Sequence, residues 1–338
     1  MYDRATAALA FITGSGWAEA RRSALAGDAS DRSYQRLVLG EGSAVFMDNP
    51  PGKADDPASF AMIDRHLRSL GLSAPEILAA DLSLGFLMLE DLGDGLFSRV
   101  LKQRSFEEIT LYTAATDILL QVQGQPSPSS LPDLAPSDWA AAATVALEWY
   151  AFAVTGQHCD QTDFTGVLTE ILTRFANGPR VLILRDYHAE NLIWLPDRQG
   201  LARVGLLDFQ LAQMGQPAYD IVSLLQDARR DVGLETETAM IRYFAAQIGQ
   251  PLIAFSAAYA AIGAQRALRI LGIFARLCLV SGKPGYVPLI PRVWSHLQRN
   301  LAHPALSELR RVCDATLPEP TAFNLSRIER QCAISPFR

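Results

Sequence analysis

One stretch constrains this chain more than any other. Val181-Leu-Ile-Leu184 is an apolar run ending in Arg185-Asp186, and Asn191 follows five residues after that aspartate. A second apolar run, Leu192-Ile-Trp194, turns at Pro196-Asp-Arg-Gln-Gly200 into a third, Val204-Gly-Leu-Leu207, which ends at Asp208. Short apolar runs bounded by turn residues read as buried strands. The spacing therefore predicts two carboxylates and one amide delivered to loops at strand ends.

The rest of the chain has two textures. Up to residue 95 it predicts a small sheet with one helix. Tyr34–Leu39 and Ser43–Met47 pair as a hairpin through Gly40-Glu-Gly42, and Ile77–Ala80 and Phe86–Leu89 form two further strands. Between them Asp56 caps a helix with Pro57 in its first turn, and Phe60, Ile63, Leu67 and Leu70 share its apolar face. A polar turn, Gly27–Ser33, precedes the hairpin. Beyond Gly95 the patterns are helical over 105–123, 137–153, 163–176, 218–230, 235–248, 255–281 and 290–314, with an irregular, loosely held tail after Pro318. The boundary predicts an N-terminal lobe over 1–93, a connection at 90–94 and a larger helical lobe over 94–338.

Composition removes several classes of function. The 338 residues carry a net charge of −6, which argues against a nucleic-acid binder working by bulk electrostatics. Four dispersed cysteines and five dispersed histidines make no zinc-finger spacing and no disulfide framework. Arg269 and Arg276 interrupt the longest apolar run, so no membrane span is expected. Ala5–Ile12 followed by Ala18-Glu-Ala20 has the outline of a signal peptide, but Asp3 precedes it and Thr13-Gly-Ser-Gly16 breaks it. It reads as an N-terminal helix of a cytoplasmic protein. Only Lys53, Lys102 and Lys283 are available for chemistry that needs a lysine.

Phosphoryl transfer from ATP needs a carboxylate facing the attacking hydroxyl, a second carboxylate on Mg²⁺, and a neutral oxygen to help hold the metal. Asp186, Asp208 and Asn191 have those types at that spacing. Each alone reads equally as a loop or turn residue; together they match the R-D-x-x-x-x-N and D-F-x pattern of protein-kinase-like folds.

The sequence resembles the aminoglycoside-phosphotransferase family, an α+β, bilobal protein-kinase-like fold with a small β-rich lobe and a larger helical one. Within it the chain is similar to the bacterial anomeric kinases of N-acetylmuramate and N-acetylglucosamine. The resemblance rests on Gly27-Asp-Ala-Ser30 with Arg32 and Tyr34, Met47-Asp-Asn-Pro-Pro51, Leu89-Glu-Asp-Leu-Gly-Asp94, Leu184-Arg-Asp-Tyr-His188 with Asn191, Asp208-Phe-Gln210 and Tyr219–Leu225. It implies Asp186 as catalytic base, with Asn191 and Asp208 as Mg²⁺ ligands. ATP would lie with its phosphates on Ser30 and Arg32 and its adenine on the backbone of Glu90, Asp91 and Leu92. It implies a small-molecule acceptor, an amino sugar in cell-wall recycling; another alcohol such as an aminoglycoside, choline or homoserine, and a non-catalytic nucleotide-binding role, are the alternatives. Oligomeric state is not legible.

Two departures stand out. Met47 occupies the place of the usual strand lysine, and the helix after it has no glutamate to pair with one. Leu211 stands where relatives carry an acid after D-F-Q. Seven further residues, in four groups, have two readings each. Asp220 either braces the catalytic loop or caps a helix; His188 contacts substrate or tucks against the loop backbone. Glu148 and Trp149 contact the sugar or lie in a helical core. Arg266, Arg269 and Arg276 suit an anionic substrate group or a solvated, salt-bridged face.

Overall fold

The computed structural model describes residues 3–25, 32–52 and 55–334. The chain packs into two compact units, Met1–Ser130 with Leu184–Ala212, and Leu131–Ile183 with Gln213–Arg338. This grouping cuts the chain differently from the change of texture near residue 93. Helical texture reports local periodicity and not which neighbour a helix packs on, and the segment around Asp186–Asp208 returns to the first unit.

The first unit is built on a five-stranded antiparallel sheet ordered β1-β2-β3-β5-β4. Its strands are β1 (Arg21–Leu25), β2 (Ser33–Leu39), β3 (Gly42–Asp48), β4 (Ile77–Asp81) and β5 (Phe86–Glu90). Leu39 pairs with Gly42, so Gly40 and Glu41 make a two-residue turn, with Gly40 at φ +61°. Helix α1 (Arg4–Gly14) covers one face, where Phe11 and Ile12 pack on Leu37, Phe46, Phe86 and Met88. Helix α2 (Pro57–Ser69) starts as expected, the Asp56 carboxylate accepting from the Ala58 amide at 2.9 Å. Helices α3 (Phe97–Gln103) and α4 (Glu108–Gln123) complete its helical part.

In the second unit, α5 (Pro136–Ala143) gives way to a π-helical turn over Ala146–Ala151 and then α6 (Phe152–Thr155), where a continuous helix was expected. Helix α7 (Thr162–Ala176) leads to β6 (Val181–Ile183). Two short ladders follow from the chain's return. In the first unit β7 (Leu192–Trp194) pairs with β8 (Val204–Leu206), and in the second β6 pairs with β9 (Gln213–Gly215). Helices α8 (Ala218–Leu225), α9 (Leu234–Gln247), α10 (Leu252–Leu279), α11 (Ile290–Leu301), α12 (Ser307–Thr316) and α13 (Ala322–Arg330) close the chain. The long α10 is buried on nearly every side. A Cβ on its Gly272 would lie 2.2 Å from the Val145 carbonyl oxygen, so only glycine lets the backbone entering the π-turn run this close.

The expectation of a loosely held tail is corrected. Thr321 caps α13 by accepting from the Asn324 amide, Ile328 is fully buried, and the Tyr150 hydroxyl donates to the Pro318 carbonyl at 2.6 Å. Proline and polar residues at 318–321 suggested disorder, but the apolar stripe of the short helix beyond them finds a partner. Among the described residues no single helix is long and apolar enough to cross a membrane.

Candidate active site

The site is a loop and a hairpin whose ends carry the three key side chains. Beyond β6, Leu184 is buried and Arg185 takes a left-handed conformation at φ +72°. The Asp186 amide closes that bend by donating to the Leu184 carbonyl at 2.9 Å. Five residues on, the Asn191 side-chain nitrogen donates back to the Asp186 carbonyl at 2.8 Å, and the Asn191 amide donates to the His188 carbonyl at 2.8 Å. Outside anchors hold the same loop: the Tyr187 hydroxyl donates to Ala115 at 2.8 Å and the Ser98 amide to Ala189 at 3.0 Å. With its nitrogen committed to the loop, Asn191 turns its amide oxygen away from it.

The β7–β8 hairpin joins Asn191 to Asp208. The Leu207 amide donates to the Asn191 carbonyl at 3.0 Å, so the two metal-ligand candidates sit on adjacent strand ends. Asp208 is again left-handed, at φ +58°. A non-glycine residue held there costs on the order of 1 kcal/mol or more, and such outliers gather at functional sites. The next residue, Phe209, is buried and stacks on Phe60 of α2 with centroids 4.9 Å apart. That contact turns the Asp208 carboxylate the other way, where it is one-third exposed.

Asp208 is not alone. Its Oδ1 accepts from Arg32 Nη2 at 2.7 Å and from Gln210 Nε2 at 3.0 Å. Arg32 lies at the entry of β2 with a nearly buried side chain. Burial acts against its charge, but the Asp208 and Asp55 carboxylates beside it favour that charge, and its pKa is raised. Burial also pushes the Tyr34 phenol up to about 12, so it stays neutral. Asp55, just ahead of α2, has Oδ2 at 3.9 Å from Arg32 and 3.4 Å from Gln210.

The connection after β5 is tied to the same hairpin. Arg198 in the hairpin turn donates to the Glu90 carboxylate and, at 2.7 Å, to the Ser73 hydroxyl. Arg36 binds the Asp91 carboxylate at 2.7 Å and that of Asp94 at 2.8 Å. Both acids are thus engaged, and Leu92 is buried. Gly95 runs so close to β7 that a Cβ there would lie 2.6 Å from the Trp194 carbonyl oxygen.

A hard-oxygen pair, Asn191 Oδ1 with the Asp208 carboxylate, suits Mg²⁺, which keeps several waters and takes substrate phosphate oxygens for the rest of its shell. Among the described residues no cluster of three or more His, Cys, Asp or Glu forms a dedicated metal cage.

Asp186, Asn191, Asp208, Arg32 and Glu90–Leu92 thus all belong to one unit. Ser30 and Lys53 lie outside the described residues. His188 is buried, its Nε2 3.5 Å from the Asn191 nitrogen, so the ring sits against the loop. Glu148 and Trp149 lie in the π-turn of the second unit, and Glu148 accepts from Thr144 at 3.0 Å and Gln161 at 3.2 Å. Asp220 is fully buried within the first turn of α8, whose cap position is Pro217; the helix-cap reading is therefore corrected. The three arginines of α10 do not share one environment: Arg276 is exposed, while Arg266 is buried, bonding Ser223 at 2.6 Å and lying over the Tyr219 ring. Met47 is fully buried, paired across the sheet with Tyr34 and Leu87. Sequence reasoning missed Asp55, which reads as a loop acid beside the cap at Asp56.

A loop aspartate locked by an asparagine, a left-handed aspartate one hairpin away, and a basic side chain beside it define a phosphotransferase of the protein-kinase-like type. The comparisons agree. The model of the phosphotransferase enzyme family (APH) matches residues 21–267, and the chain belongs to that family. It is 39% identical to the N-acetylmuramate/N-acetylglucosamine kinase of Caulobacter vibrioides, over 94% of this chain and 98% of that one. It is 33% identical to the enzyme of the same name from Pseudomonas aeruginosa, over 90% and 91%. Among solved structures, a choline/ethanolamine kinase family protein from Mesorhizobium loti superposes with a TM-score of 0.63 at 15% identity, covering 97% of this chain and 99% of that one. The chain is a kinase, and ATP is its family's phosphoryl donor.

Proposed function

We propose that this enzyme transfers the γ-phosphoryl group of ATP to the anomeric hydroxyl of N-acetylmuramate or N-acetylglucosamine, giving the sugar 1-phosphate and ADP. The arrangement of Asp186, Asn191 and Asp208 carries the chemistry, and 39% identity to a kinase of those two sugars supports the acceptor. With ATP as donor, the reaction belongs in the cytoplasm.

Asp186 orients the acceptor hydroxyl and takes its proton as the new O–P bond forms and the bond to the ADP oxygen breaks. An anomeric hydroxyl is more acidic than an ordinary alcohol, which eases the demand on this base. Asn191 and Asp208 would hold Mg²⁺, which would supply positive charge to the phosphates. Arg32 and Ser30 receive the phosphates, and the backbone of Glu90, Asp91 and Leu92 receives the adenine. Because the transition state is loose, positioning and electrostatics supply most of the rate. Glu148, Trp149 and His188 are assigned to acceptor recognition and Asp220 to a structural role, each to be tested by substitution.

The test is an ADP-release assay with Mg-ATP and a panel of the two amino sugars, choline, homoserine and an aminoglycoside. Turnover confined to the amino sugars supports the assignment. Turnover with choline or an aminoglycoside and none with the sugars overturns the acceptor.

A further inference from the structure

A kinase-like site without the strand lysine must find its phosphate-side cation elsewhere. Met47 fills the lysine's place and is sealed in the sheet. α2 has no glutamate to partner such a cation. Instead, one nearly buried guanidinium, Arg32, stands between two carboxylates from distant segments. It is 2.7 Å from Asp208, 176 residues away in sequence, and 3.9 Å from Asp55.

Both acids are held in place. The Asp55 carbonyl accepts from the buried Asn49 side chain at 2.7 Å, and the Asn49 amide donates to the Gly85 carbonyl at 2.8 Å. Gln210 spans the two carboxylates, with Nε2 3.0 Å from Asp208 and 3.4 Å from Asp55. Arg32 can therefore change partners by moving about an ångström, while Gln210 keeps the acids in register.

We propose that Arg32 is a resident cation that occupies Asp208 until the metal–nucleotide complex arrives, and that Asp55 is the carboxylate that then receives it. The inference rests on Asp208 being a metal ligand. The guanidinium and a divalent ion compete for the same carboxylate oxygen, and like charges a few ångströms apart repel. Transfer to Asp55 relieves that repulsion while keeping the guanidinium charge beside the phosphates. Arg32 and Asp55 then do together what a lysine–glutamate pair does in other kinases, but with the acid ahead of α2 and not within it. In the absence of nucleotide the same contact keeps Asp208 neutralised.

This predicts opposite signs for two affinities, which an ordinary phosphate contact would not produce. Mn²⁺ binding without nucleotide is measured by electron paramagnetic resonance, and Mg-ATP binding by calorimetry, on wild type, Arg32→Gln, Arg32→Lys, Asp55→Asn and Asp208→Asn. Arg32→Gln should bind Mn²⁺ about tenfold tighter, since an opposite charge at this range shifts such equilibria by that order, while binding Mg-ATP about tenfold weaker. Asp55→Asn should weaken Mn²⁺ binding severalfold, because the carboxylate that draws Arg32 away from Asp208 is then lost. Arg32→Lys should restore part of the Mg-ATP affinity. Mn²⁺ affinity unchanged in both Arg32→Gln and Asp55→Asn overturns the exchange, provided Asp208→Asn abolishes Mn²⁺ binding. If Asp208→Asn leaves Mn²⁺ binding intact with and without ATP, the metal-ligand assignment itself fails. Asp55 is one-third exposed, so its variant keeps the test open should Arg32→Gln not fold.

Discussion

The catalytic hairpin and the π-turn of the second unit solve opposite problems. From Leu184 to Ala212 the chain holds two non-glycine residues in left-handed conformations and keeps carboxylates partly open to solvent. From Ala146 to Ala151 it buries most of its side chains: Ala146, Leu147, Tyr150 and Ala151 are buried, and Gly272 admits the Val145 backbone beside them. The first region gives up stability to place charge; the second gains it from packing. Substitutions should separate accordingly, with chemistry lost and the fold kept in one region, and the fold weakened in the other.

The largest expected effect is on chemistry. Asp186→Ala and Asp208→Ala should each lower kcat by about 10³-fold or more, with a melting temperature within a few degrees of wild type by calorimetry. A collapse of the melting temperature in either would break the contrast. Next comes Gly272→Val, which drives side-chain atoms into the Val145 backbone. It should cost about 3 kcal/mol in urea unfolding and leave the nucleotide affinity of the folded fraction unchanged.

A third prediction concerns pH. Burial, opposed by Arg68 and Arg65, pushes the carboxyl of Asp64 on α2 up to about 7. An acid whose folded-state pKa is raised contributes stability that is present below its unfolded pKa, near 4, and lost as pH rises towards 7. Asp64→Asn should therefore flatten the fall in unfolding free energy between pH 4 and 7. An identical slope in both proteins would count against the burial argument. The smallest effect is expected at Tyr150→Phe, which removes the hydrogen bond to Pro318 and should cost about 1 kcal/mol, with kcat unaltered.

What could be seen in the sequence follows the range of each interaction. Strands β2 to β5 and the start of α2 were legible because alternation, the Gly40 turn and the Asp56-Pro57 cap are local. Strand β1 was not: Arg21-Arg22-Ser23 is an exposed edge with no apolar alternation. The helical run expected over 290–314 breaks at His303-Pro304, where the His303 ring nitrogen accepts from the Ala305 amide. The π-turn lies against α10 at Gly272, more than a hundred residues away in sequence. The same distinction holds at the site. Asp186, Asn191 and Asp208 announce themselves through short spacing, whereas Asp55 acquires its place from contacts with Arg32 and Gln210, the latter 155 residues distant.

The proposed reaction phosphorylates a sugar at its anomeric oxygen, with Asp186 as base. The most direct measurement is ³¹P NMR of the purified enzyme with Mg-ATP and N-acetylmuramate or N-acetylglucosamine, with Asp186→Ala as the blank. A new anomeric sugar-phosphate resonance coupled to the C1 proton should grow with ADP and be absent in the blank. A phosphate ester on another sugar hydroxyl, or the same product at the same rate from Asp186→Ala, would contradict it.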